Sequence, residues 1–122
     1  MNELQIEIEG GQQAFMPGET IRGRVQWQMN NDPRKAILRI FWFTQGKGTE
    51  DSCLHEEIKF ENPGPVEEHA FEFVLPVGPY SFSGRLISLI WMVELEVDKK
   101  YARQDVVLSP TGQEIKLGSV SA

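Results

Sequence analysis

The sequence is poor in the residues from which most catalytic and metal centres are built. Its 122 residues include one cysteine, Cys53, and two histidines, His55 and His69. No internal disulfide can form, and nothing points to an oxidising compartment. A run of lysine and arginine is also missing, and 12 basic residues stand against 18 acidic ones for a formal charge of −6. Nucleic acid and anionic membrane surfaces need a concentrated cationic face, so this balance argues against both. The most apolar stretch, 86–97, is interrupted by Ser88, Glu94 and Glu96 and falls short of the roughly 18–20 residues of a membrane span. Residues 1–9 lack the basic and apolar regions of a secretory signal. The expectation is a cytoplasmic protein with no membrane insertion. Helical periodicity is absent too: no window carries apolar residues at i, i+3, i+4 and i+7 without a Gly, Pro or β-branched interruption.

Period two is abundant instead. Leu4, Ile6 and Ile8 alternate with Glu3, Gln5, Glu7 and Glu9, and Ile21, Val25 and Trp27 alternate with Arg22, Arg24 and Gln26. This is the pattern of half-buried strands. Turn signals separate the strands: Pro17-Gly18, Asn30-Asn31-Asp32-Pro33, Gly46-Lys47-Gly48 and Asn62-Pro63-Gly64-Pro65. Further strands are predicted near 35–45, 53–61, 71–75, 85–98 and 101–108, with a short one at 114–117. Together they predict one all-β domain over 1–122, an antiparallel immunoglobulin-like β-sandwich of seven or eight strands with 113–122 as a C-terminal tail. Its predicted core holds Leu4, Ile6, Ile21, Val25, Trp27, Ile40, Trp42, Phe71, Phe73, Leu89, Trp91 and Val93.

Three stretches carry a family resemblance. They are Phe15-Met16-Pro17-Gly18-Glu19-Thr20-Ile21-Arg22-Gly23-Arg24-Val25, then His69-Ala70-Phe71-Glu72-Phe73-Val74-Leu75-Pro76, and Tyr80-Ser81-Phe82-Ser83-Gly84 running on to Ile90-Trp91-Met92-Val93-Glu94-Leu95. In order and spacing they resemble the amino-terminal domain of the arrestin family over about residues 3–108, in the manner of a single-domain arrestin-like or sporulation-control-like protein. The resemblance implies a non-enzymatic sandwich that acts as a docking surface, an adaptor or scaffold for a protein partner it does not identify. Departures limit what carries over. Arrestins have two sandwiches where this chain has one, and the basic residues of their first strand are replaced by Glu7 and Glu9. Phosphate sensing is therefore not transferred. Physically the motifs specify architecture: Pro17 and Gly18 turn the chain, and Gly23 inside a strand admits a close neighbour.

The sequence offers little for chemistry. Cys53, His55 and Glu57, at i, i+2 and i+4, would share one face of a regular strand, but their spacing matches no common zinc motif and a solvated face is the expectation. His69 shares the face of Phe71 and Phe73 as an edge-of-core residue. Ser81, Ser83 and Ser88 lack a nucleophile elbow, and no phosphate loop is present. No catalytic, cofactor-binding or metal-binding residue is predicted, no cofactor, and no enzyme.

One feature stands out. Strands 35–45 and 85–98 are apolar on both faces, whereas a sandwich strand with a solvated back should alternate. The resemblance implies that Trp91 lies inside, which by alternation sends Ile90 and Met92 outward, and placing Arg39 outside sends Phe41 and Phe43 with it. Phe41, Phe43, Ile90 and Met92 are therefore the predicted interaction face. The tail, the linker 76–83, a second copy or another protein could cover it, and a homodimer is the simplest cover. The alternative function is a small-ligand or carbohydrate-binding sandwich that stacks its ligand on Trp27, Trp42 or Trp91. All three tryptophans share their faces with aliphatic neighbours, as core residues do.

Overall fold

Among the described residues, alternating apolar and polar residues build seven long strands, and three two-residue segments add to them. The computed structural model describes residues 2–47, 50–84 and 86–113 and the backbone of 115–116. In chain order the elements are β1 (Glu3–Ile8), a 3-10 turn (Glu9–Gly11), β2 (Ala14–Phe15), β3 (Thr20–Gln28), β4 (Ala36–Gly46), β5 (Ser52–Phe60), β6 (Val66–Val74), β7 (Phe82–Ser83), β8 (Ile87–Val97), β9 (Lys100–Leu108) and β10 (Ile115–Lys116). The smaller sheet has the order β1-β3-β6 and is antiparallel throughout. In the larger sheet β8 pairs with β4 along one side and with β7 and then β9 along the other, and β5 forms the edge beyond β4. The sheets are not wholly antiparallel as the sequence predicts: β2 runs parallel to β9, and β10 parallel to β7. Both exceptions are two-residue segments, too short to show a period. Among the described residues no helix is long and apolar enough to cross a membrane.

The core lies between the sheets. Trp27, Trp91, Phe15, Phe73, Ile21, Leu38 and Ile40 are fully buried in it. Of the predicted core, Leu4, Ile6 and Trp42 are half-buried and pack against its rim. The linker between β6 and β8 closes the core over Trp91, whose Nε1 donates to the Pro79 carbonyl at 2.7 Å. Ser81 fastens this linker to β9, donating its N–H to the Leu108 carbonyl and accepting the Leu108 N–H at Oγ.

The turn before β3 is held by its own motif. Gly18 adopts a φ of 81°, where a side chain would be strained. The Glu19 carboxylate accepts the Met16 N–H at 2.8 Å and the Gln12 side-chain amide at 2.9 Å. The Gln12 bond and then the Met16 bond hold the Glu19 carboxyl below the usual glutamate range.

Candidate functional site

A group of large apolar residues outside the core sits on the outer face of the larger sheet; on the smaller sheet Val66 and Val74 are also exposed. β4 and β8 lie antiparallel in a register that sets Phe41 opposite Met92 and Phe43 opposite Ile90. All four are half-buried, and the two phenylalanine rings lie 6.1 Å apart. The face extends further than the sequence indicates. Between Ile40 and Phe41 the β4–β5 register shifts, placing Leu54 opposite Phe41 with 52% of its surface exposed.

That shift also corrects the expectation for Cys53, His55 and Glu57. His55 is the extra residue of a bulge, which breaks the alternation of the strand. Cys53 therefore pairs with Trp42, and Glu57 pairs with Arg39 on the opposite face. His55 turns to the other sheet, its Nε2 3.0 Å from the Val74 carbonyl oxygen and its ring edge-on to Trp91. Among the described residues no three His, Cys, Asp or Glu side chains come together as a metal site. His69 stacks on Phe60 with ring centroids 4.4 Å apart, and its Nε2 lies 2.7 Å from Glu67 Oε1. Glu67 also accepts the Gly64 N–H; that bond, then His69, lowers its pKa.

Toward the other end of the same face the apolar pairs give way to a lattice of charge. Arg39 bonds Glu96 at 2.8 Å, Glu57 at 2.9 Å and Glu94 at 3.2 Å. Glu94 also holds Arg103 at 2.7 Å, and Glu96 holds Lys35 at 3.3 Å. The Arg103 guanidinium lies 4.8 Å from the centre of the Tyr101 ring. Glu94 and Glu96 are only 8% and 7% exposed, so their charges need these partners. Burial works against the Arg39 charge, but its bonds to Glu96 and Glu57 raise its pKa. Burial likewise pushes the Glu96 carboxyl up, and the bonds from Arg39 and Lys35 outweigh it and hold the carboxyl below its ordinary value. The sequence shows Glu94 and Glu96 only as interruptions of an apolar run. Their pairing with Arg39 depends on a register that no local pattern reveals.

Trp27 and Trp91 are 2% and 1% exposed, and each donates its Nε1 to a backbone carbonyl, of Gly64 and Pro79 respectively. Neither presents a stacking face to a ligand. A cleft of about 710 Å³ lies along the smaller sheet near Gly23, Phe71 and Ile58. Its cations already have partners, Arg22 in Glu72 and Arg24 in Glu68.

No protein-family model and no curated protein matches the chain. Among solved structures it is similar to Spo0M, the sporulation control protein of Bacillus subtilis, at 16% identity and a TM-score of 0.61, over 88% of this chain and 49% of that one. The chain thus spans about half the length of Spo0M. A superoxide reductase (neelaredoxin) from Ignicoccus hospitalis aligns at 12% identity and a TM-score of 0.48, over 87% of this chain and 80% of its own. A β-glucosidase from Listeria innocua aligns at 11% identity and the same TM-score of 0.48, over 93% of this chain and 16% of its own. At those scores the two enzymes bear on neither the fold nor the function of this chain. The likeness to Spo0M concerns the fold, and it identifies the molecule as an all-β sandwich of the arrestin-like kind.

Proposed function

We propose that the protein is a non-enzymatic interaction module, an adaptor or scaffold, that works through the outer face of β4 and β8 and that a second copy of the chain covers this face. The observation that carries the reading is the pair of apolar cross-strand contacts, Phe41 with Met92 and Phe43 with Ile90, on the face turned away from the core. Large apolar side chains there add nothing to the core and gain stability only when something removes them from water. The linker 76–83 packs against Trp91, on the inner side of β8. In the tail, Ile115–Lys116 pairs with β7 at the sheet edge. Neither the linker contact nor the Ile115–Lys116 pairing lies on the outer face of β4 and β8.

A two-fold axis through the face sets patch against patch, with the sheets about 10 Å apart. Burying on the order of a few hundred Å² of apolar surface at roughly 25 cal/mol per Å² favours pairing by several kcal/mol before ordering costs. Sedimentation at tens of micromolar tests the reading. The wild type is expected to run as a dimer and a Phe43→Lys, Ile90→Lys double variant as a folded monomer. If both ran as monomers, a second copy would not be the occupant.

A further inference from the structure

Two dibasic pairs that are distant in sequence meet at one end of the sandwich. Arg34-Lys35 leads into β4, and Lys99-Lys100 closes the β8–β9 hairpin. Asp98 ties the two loops together. Its Oδ1 accepts the backbone N–H of Arg34 at 2.9 Å and of Lys35 at 3.1 Å, and its own N–H donates to the Lys35 carbonyl at 2.8 Å. The carboxylate of Asp98 is thus engaged by backbone amides. Lys35 reaches Glu96, which is shared with Arg39. Among the described residues the charged ends of Arg34, Lys99 and Lys100 have no carboxylate within ion-pairing distance. These four cations surround a cleft of about 590 Å³, lined also by Met29, Asn30 and Asn31 and by the two carboxylates already engaged, Glu96 and Asp98. On a molecule of net charge −6, this end is cationic.

We infer that this cleft binds a small multivalent oxyanion, a molecule carrying at least two phosphate or carboxylate groups. Its volume falls within the range of small-molecule sites. The guanidinium supplies a planar fork of donors, and the lysines supply mobile point charges. The loops that carry them are already fixed by hydrogen bonds, which lowers the ordering cost of binding. The chain as a whole carries an excess of acidic residues, so a compact ligand fits the charge distribution better than an extended polyanion.

Calorimetric titration at low salt with pyrophosphate and, separately, with citrate tests the inference. One site per chain is expected. It should weaken at least about tenfold in an Arg34→Gln, Lys100→Gln variant that melts like the wild type, and it should be unchanged in Arg22→Gln on the other sheet. Binding of pyrophosphate alone assigns the site to phosphates, binding of citrate alone to carboxylates, and binding of both to charge and size. No binding of either at millimolar concentration, or an equal loss in Arg22→Gln, overturns it.

Discussion

At Gly23 a β-carbon would collide with the Glu7 carbonyl oxygen and lie 2.9 Å from the Phe71 ring. The glycine is there because β1 and the aromatic ring occupy the space of a side chain. Gly23→Ala must displace one of them and is expected to cost about 1–3 kcal/mol, read as a lower urea midpoint at unchanged slope. Trp91 poses the opposite case: it is 1% exposed and anchored to Pro79. Trp91→Ala leaves a cavity and an unpaired carbonyl, with an expected loss of about 3–5 kcal/mol in the same measurement. A loss below about 1 kcal/mol would mean that the indole is not packed as described. Both sites are legible in the sequence, Gly23 from its place inside an alternating strand and Trp91 from its aliphatic company. Glu19 is less so, since nothing in its spacing announces that its carboxylate caps the turn.

Strands β4 and β8 carry the ion lattice in one column with the apolar pairs, which makes acid sensitivity a property of this pair of elements. The Glu96 carboxyl is held below its ordinary value by Arg39 and Lys35 against the opposing effect of burial. Its folded-state pKa therefore lies below its unfolded one. The resulting stabilisation is complete above the ordinary glutamate value of about 4.3 and is lost as the pH falls through the lowered one. Glu19 and Glu67 shift in the same direction. Urea midpoints are expected to drop between pH 7 and pH 3. Glu96→Gln should lose about 1.5–3 kcal/mol at pH 7 and show a shallower acid fall; an acid fall as steep as that of the wild type would separate Glu96 from the effect. The parity of these strands can be read from Trp91 and Arg39 alone. The bulge at His55 cannot, because it is a property of the pairing between two strands. For the same reason Glu57 lies beside Arg39 and apart from Cys53.

The layered architecture follows from alternation and turn residues, and among the described residues seven strands of six residues or more realise it. What alternation leaves undetermined is which distant segments meet. The two dibasic pairs converge only through the β4–β8 register and the Asp98 bonds, so an acidic sequence without a basic run still has a cationic end. The two outer faces also differ. On the smaller sheet Arg22 pairs with Glu72, Arg24 with Glu68, and Gln26 bonds Gln5, beside the exposed Val66 and Val74. Growth by stacking sheet on sheet needs two adhesive sides, and the proposed face lies on the larger sheet alone. Pairing through β4 and β8 would use up that side in both copies. Assembly would then stop at two, and the sedimentation profile should hold at the dimer as concentration rises without passing into longer stacks.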